Sequence, residues 1–309
     1  MRNPALVRTF KKNVNVRAPS EARKERLYKY TFMVPAVLFL TLLLIFPVAY
    51  TVWQSFHDTK LTNISAAQFI GLDNYIKLFK DMSFWYSLRV TLYFTALALL
   101  FQTVLGIGLA LLYNAKFFGR GILRTLAIMP MAATPVSIAL IFVMIYNPDL
   151  GVANYLLEQF GLPKSLWTYS ESTVIPALAL IDTWQWTPLL MIIALAGLAS
   201  LPSDVYESAK IDGASAWKRF VHITMPLLWP FIASAIVFRL NDALKTFDVI
   251  YVMTQGGPGL SSTTLNILLY NQAFTYYNTG YASAQIVIFF FIVMAIAWFF
   301  IRNRKVEWK

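Results

Sequence analysis

Five ionisable side chains stand inside segments that are otherwise almost wholly apolar: Asp182 in one, and Arg239, Asp242, Lys245 and Asp248 in another. An ionisable group in such surroundings is costly to bury and marks a candidate functional site. The four later charges alternate in sign every three residues, a spacing that allows i,i+3 ion pairs. Two readings stand for Arg239 and Asp242: compensation inside the protein, or contact with a ligand. For Lys245 and Asp248, compensation near the external interface fits better. Arg239, Ala243 and Thr246 lie at i, i+4 and i+7 and would share one helical stripe. Asp182-Thr-Trp184-Gln-Trp186 gathers a carboxylate, an amide and two indoles within one and a half turns. A hydroxyl-rich ligand suits that set, because hydroxyls need hydrogen bonds and indole faces accept apolar C–H surfaces. Tryptophan is equally at home at membrane interfaces.

A second constellation is polar. Glu207-Ser208-Ala209-Lys-Ile-Asp212-Gly213-Ala is followed by Ile223-Thr-Met-Pro226, with nine residues between Gly213 and Ile223. Ser203 or Asp204 would cap the start of a helix, and Asp212-Gly213 would end it, since glycine reaches backbone angles closed to other residues. Ala214 to His222 suits a second short helix, and Pro226 stands where the next apolar helix begins. Such an elbow is a compact handle for another protein, small-faced at Ser208 and Ala209 and carrying the Glu207 carboxylate. Catalytic equipment is missing. The two histidines, His57 and His222, are far apart in sequence, and no H-E-x-x-H, G-x-S-x-G or G-x-x-x-x-G-K-[ST] occurs. Without cysteine, disulfides and Cys-ligated metals are excluded.

The elements that position these residues are membrane spans. Only 13% of the 309 residues are charged, about half the share of a soluble domain. No charge falls between Lys29 and Asp58, Arg89 and Lys116, or Arg124 and Asp149. Each window can cross a hydrocarbon core of about 30 Å, which takes roughly 20 helical residues. The runs do not alternate, so helices rather than a closed barrel satisfy the backbone. The chain reads as an all-α membrane protein with six spans: Phe32–Ser55, Leu92–Tyr113, Leu123–Tyr146, Val174–Ser200, Leu227–Val252 and Ser283–Ile301. Pro47, Pro130, Pro135, Pro188 and Pro230 fall inside them, which membrane helices tolerate.

The net charge of +11 is concentrated at the ends, with +7 in the first 29 residues and +3 after Ile301. That distribution argues against nucleic-acid binding. Loops flanked by Lys116, Arg120 and Arg124, or containing Lys210, Lys218 and Arg219, alternate with loops poor in cations. The positive-inside rule puts both termini and the Glu207 loop in the cytoplasm. The organisation expected is a basic cytoplasmic arm (1–29), a six-helix domain (30–301) containing the cytoplasmic loop 202–226, and a tail (302–309). The arm reads as a solvated segment able to touch anionic lipid headgroups. The first span is too long for a signal peptide and lacks a cleavage site. Among the external loops, Asp73–Phe84 repeats apolar residues at helical spacing and predicts a short surface helix.

The loop pattern E-S-A-x-x-x-G-x(9)-I-x-M-P closely resembles the coupling loop of bacterial ABC importer permeases, with Ser208 and Met225 as conservative departures. Phe69-Ile-Gly-Leu-Asp-Asn-Tyr75, Phe238-Arg-x-x-Asp-Ala243 and Thr254-Gln-Gly-Gly-Pro258 resemble the sugar-permease branch, of the maltose and glycerol-phosphate type. The resemblance implies the type I (MetI-like) importer architecture and the bacterial inner membrane. It implies a heterodimer with a second permease, an ATPase dimer carrying ATP and Mg, an extracytoplasmic solute-binding protein and a carbohydrate substrate. No cofactor would sit on this chain. Glu207, Ser208, Ala209, Asp212, Gly213, Ile223 and Pro226 would couple to the ATPase. Asp182, Trp184, Trp186, Arg239, Asp242, Ala243 and Thr246 would line the sugar pathway. A secondary transporter using the buried charges as an ion relay is the alternative, although no inverted repeat is evident. An intramembrane enzyme would have to rely on Asp182 and Asp242.

Overall fold

The computed structural model describes residues 19–302. The chain divides into two units, Met1–Trp53 and Gln54–Lys309. Most of the expected N-terminal arm and nearly all of the tail lie outside the described residues.

The first unit holds α1 (Pro19–Leu40), a π-helical turn (Thr41–Ile45) and the start of α2 (Phe46–Ser55). Helix thus begins at Pro19, well ahead of the expected Phe32, and takes in the last residues of the basic arm. The π-turn comes just before Pro47. Proline has no N–H to donate, and widening the turn by one residue lets the Phe46 N–H reach the Thr41 carbonyl. A second π-turn (Phe220–Thr224) precedes Met225-Pro226 in the same way.

The second unit opens with a hairpin that sequence patterning did not reveal. Strand β1 (His57–Lys60) pairs antiparallel with β2 (Asn63–Phe69), His57 opposite Phe69. The surface helix appears as α3 (Asp73–Lys80) and stops short of Phe84 because Asp81 starts a new helix, accepting a 2.9 Å bond from the Ser83 N–H. That helix, α4, runs from Met82 to Asn114 and begins ten residues before the expected span.

The third span departs most from expectation. It is two helices, α5 (Arg120–Ala132) and α6 (Pro135–Ile145), bent by 100°. Pro130 is accommodated inside α5, whereas Pro135 opens α6. A residue before proline is pushed out of the helical region, and Thr134 is extended (ψ 142°) and caps α6 through its hydroxyl. Next come α7 (Val152–Gln159) and α8 (Val174–Ala199). Helix α8 is the central element, its apolar window 67% buried against 22–33% for the other long helices of this unit.

The elbow comprises α9 (Ser203–Ile211) and α10 (Ala216–Arg219). Helix α10 passes through the π-turn directly into α11 (Met225–Ala243), so helix is continuous over Ala216–Ala243. The fifth span therefore starts earlier than Leu227 and ends at Ala243 instead of Val252. After a turn, α12 (Asp248–Thr254) follows. The side-chain amide of Asn266 donates to the carbonyls of Leu244 (3.1 Å) and Thr246 (3.4 Å), two of the groups this break releases. The loop expected over 253–282 contains α13 (Leu265–Tyr270) and a π-turn before α14 (Thr279–Arg302). Among the described residues five helices are long and apolar enough to span a membrane, and the bent α5–α6 pair makes six when counted as one span.

Helices α4, α8 and α11 pack through small residues. A Cβ on Gly106 would sit 2.8 Å from the Leu190 Cβ, and one on Gly197 would sit 2.6 Å from Leu228 Cδ1. Gly106→Ala is expected to cost about 1–3 kcal/mol by overpacking, whereas Gly108, with nothing near its Cβ position, should accept alanine. Thermal unfolding of the detergent-solubilised protein checks this; equal melting of the two variants would count against the close α4–α8 contact.

Candidate functional site

Three of the charges picked out in the sequence meet at one point. Arg239, on α11, is completely buried, as are Asp182 of α8 and Gln102 of α4. The guanidinium donates through Nη2 to Asp182 Oδ2 (2.5 Å), through Nη1 to Asp242 Oδ2 (2.7 Å) and through Nε to Gln102 Oε1 (3.1 Å). Gln102 closes the ring by donating Nε2 to Asp182 Oδ2 (2.7 Å) and to the Asp182 carbonyl (3.1 Å). The Trp186 ring lies 5.0 Å from the guanidinium carbon, in cation–π contact. Each helix contributes at a position its own geometry dictates. Arg239 and Asp242 are one turn apart on α11, and Asp182 and Trp186 are one turn apart on α8, so both members of each pair face the same way.

Compensation is thus the observed state of Arg239 and Asp242, with Asp182 as the second anionic partner. The wider scheme of alternating pairs does not form. Among the described residues the ion pairs of this region are Arg239–Asp182 and Arg239–Asp242. Because α11 ends at Ala243, Lys245 and Asp248 leave the helical stripe and stand exposed. For the same reason Thr246 is not on one helix face with Arg239, although it returns to the site through the turn.

Against this network lies a cavity of about 290 Å³, bounded by Asp182, Gln185, Trp186, Asp242 and Thr246 and closed at its sides by Pro135 and Phe247. Its size is at the lower end of small-molecule sites. Gln185 spans from the cavity to the α5–α6 break: its Nε2 donates to the Ala133 carbonyl (3.3 Å), and its buried Oε1 has no partner. Ala243 is buried at the end of α11 without lining the cavity. Trp184 points elsewhere; it is 49% exposed and packs edge-on against Phe142 at 5.6 Å.

Two amides complete the site beyond the residues singled out in the sequence. Gln102 was recognisable only as an amide in an uncharged window, whereas Gln185 was noted as the amide between the two tryptophans but was not among the candidate site residues.

The elbow has the helix–break–helix form. Helix α9 ends with Asp212 as its cap, and Gly213 takes a left-handed backbone (φ +73°). The Gly213 and Ala214 N–H groups bond back to the Lys210 (3.1 Å) and Ala209 (2.9 Å) carbonyls, closing the end of the helix. Ser215 caps α10 by accepting from the Lys218 N–H at 3.3 Å. Tyr206 donates to the Thr224 hydroxyl at 3.0 Å and ties α9 to the foot of α11. Glu207, Ser208, Asp212 and Gly213 are exposed, Ala209 and Ile223 half-buried, and Pro226 lies in the first turn of α11. On either side of the bend Ile211 and Trp217 are 86% and 71% exposed. The sequence reading did not single out these two side chains.

Residues 102–306 match the family described as "Binding-protein-dependent transport system inner membrane component". The chain is 38% identical, over 81% of its length and 83% of the relative's, to the trehalose/maltose transport system permease protein of Thermococcus litoralis. It is 36% identical, over 90% of each, to the sulfoquinovosyl glycerol transport system permease protein of Agrobacterium fabrum. Its fold is that of a chain of a bacterial ABC transporter involved in the import of the acidic polysaccharide alginate, with a TM-score of 0.80 at 24% identity over 94% of this chain and 99% of that one.

Removing one partner from a buried ion pair typically costs about 3–5 kcal/mol. Asp182→Leu is therefore expected to destabilise the solubilised protein by that amount. Adding Arg239→Leu to it should recover at least half the loss, because no buried cation is then left unpaired. Chemical denaturation followed by tryptophan fluorescence measures both; a double variant as unstable as the two single losses combined would contradict the network.

Proposed function

This chain belongs to the family of binding-protein-dependent transport system inner membrane components, and we propose that it is the permease subunit of an ATP-driven importer of a sugar or sugar derivative. It would supply half of the translocation pathway, with a second permease supplying the other half. It is a transport component, and ATP and Mg would act on a partner ATPase dimer. An extracytoplasmic solute-binding protein would present the sugar at the face opposite the elbow, and the charge distribution of the loops supports a cytoplasmic elbow and cytoplasmic termini.

The observation that carries this reading is that the elbow and the cavity share two helices. Helices α8 and α11 hold Asp182, Trp186, Arg239 and Asp242 at one level, and the elbow is the chain that joins them. At about 1.5 Å rise per residue, Asp182 lies roughly 25 Å from the end of α8. A push on the elbow is transmitted along rigid helices to the side chains around the cavity. Glu207, Ser208, Ala209, Asp212 and Gly213 would meet the ATPase, with Ile211 and Trp217 as apolar anchors. Ile223 and Pro226 would join the elbow to α11. Of the proposed pathway residues, Asp182, Trp186, Asp242 and Thr246 have the placement to act on a sugar; Arg239 and Ala243 act from behind, and Trp184 has no place on the cavity wall.

Glu207→Lys and Gly213→Pro are expected to leave membrane insertion intact. Proline cannot adopt the Gly213 backbone, so the second variant distorts the bend itself. In proteoliposomes containing the assembled transporter, ATP hydrolysis should persist while sugar uptake falls at least about fivefold, the lower range of coupling between distant sites. Normal uptake in both variants would overturn the assignment of the elbow.

A further inference from the structure

The sugar-permease reading leaves open whether the substrate is neutral or anionic, and on that reading a lone buried arginine would suggest an anion. We infer the opposite: the cavity selects sugars without anionic groups, and Asp242 sets the preference.

Three observations support this. First, Arg239 is not available to a ligand. It has no exposed surface, three of its five N–H donors are engaged by Asp182, Asp242 and Gln102, and its face is covered by Trp186. Second, the side chains that do line the cavity are rich in carboxylate. Asp182, Asp242 and Asp248 face it against Lys245, and with Arg239 behind the first two the group holds three negative charges against two positive. An anion entering this partly desolvated space meets that net negative charge, where like charges repel more strongly than in water. Third, an acceptor is open to a ligand on the cavity wall. The Asp242 side chain is half exposed there. Ionised carboxylates are acceptors only, so a ligand group that meets it must bring a donor. Sugar hydroxyls donate; carboxylate and sulfonate groups, ionised at neutral pH, do not. Trp186 supplies the apolar surface on which a sugar ring can rest.

Asp242 is the specificity residue because it does two things at once. It neutralises the outward edge of Arg239 and presents its remaining oxygen to the cavity. Converting it to asparagine keeps the shape and an acceptor for Arg239 but removes the charge.

The test uses the transporter complex purified from its native membrane without added binding protein, so that the selectivity of a delivery protein does not enter. Saturation-transfer NMR is recorded on an equimolar mixture of neutral di- and trisaccharides and the matching uronates, and ATP-dependent uptake is measured in proteoliposomes of the same preparation. The expected result is saturation of neutral sugars about tenfold above their uronates, a difference of about 1.4 kcal/mol. Asp242→Asn should narrow that ratio to about threefold or less. Asp248→Asn, which removes a lining charge without touching Arg239, should narrow it less, and carries the charge test if Asp242→Asn fails to assemble. Equal saturation by uronates in the unmodified protein would overturn the inference. So would a ratio unmoved by Asp242→Asn, or no saturation in a preparation that still transports sugar. Absence of any ATP-dependent sugar uptake would instead sink the permease reading, and this inference with it.

Discussion

The structure depends on a buried guanidinium. Arg239 has no access to water, and an uncompensated cation at that depth is strongly unfavourable. It is tolerable only because α4 contributes an amide, α8 a carboxylate, α11 a second carboxylate and Trp186 an aromatic face. The requirement runs in both directions. Asp182 is as deeply buried as Arg239 and would be equally costly alone. Neither α8 nor α11 can slide or rotate far without separating the pair, so the network fixes the register of the two helices that the elbow joins. Dispersion contacts around Gly106 and Gly197 bring the helices close, but apolar surfaces slide over one another more easily than an ion pair stretches.

The same economy explains where the helices break. Backbone outside a helix is acceptable at membrane depth only where protein buries it or it lines a cavity. Both breaks, at Ala133–Thr134 and at Leu244–Phe247, come to the cavity beside Asp182 and Asp242, where Pro135, Thr246 and Phe247 form part of its wall. The carbonyls they release are met by side-chain amides: Gln185 takes Ala133, and Asn266 takes Leu244 and Thr246. The cavity is therefore the space left where two spans stop being regular, and amides on two helices, α8 and α13, stabilise that irregularity.

How much of this could be read from the sequence follows from the range of each interaction. The spans were legible because hydrocarbon excludes charge over a whole segment, and the uncharged windows record that exclusion. The elbow was legible because its parts are local: a glycine with positive φ and a proline at the next helix start sit within the pattern from Glu207 to Pro226, although the expected cap by Ser203 or Asp204 does not form, Pro202 holding the cap position without a side-chain bond. The i,i+3 spacing pointed correctly to the Arg239–Asp242 pair for the same reason. The Asp182 and Gln102 partners come from other helices, and spacing along the chain carries no trace of them. The breaks were missed because proline is ambiguous in a membrane helix. Pro130 and Pro135 look alike in sequence, yet only Pro135 begins a new helix, where Gln185, 50 residues on, holds the freed Ala133 carbonyl.

That division between local and distant partners also bears on mechanism. The elbow is held by its own hydrogen bonds and is tied by Tyr206 to Thr224 at the foot of α11. At the other end, Asp242 is the half-exposed member of an otherwise buried network. A rigid handle and a buried staple are joined by two long helices, and the one exchangeable contact faces the cavity. Displacement of α11 relative to α8 would be resisted by the buried Arg239–Asp182 bond and eased at Asp242, where water or a sugar hydroxyl can replace part of the interaction. Access to the cavity and the geometry of its acceptors would then change together, which is how movement at the elbow could alter affinity for a sugar without any charged group of the network leaving its partner.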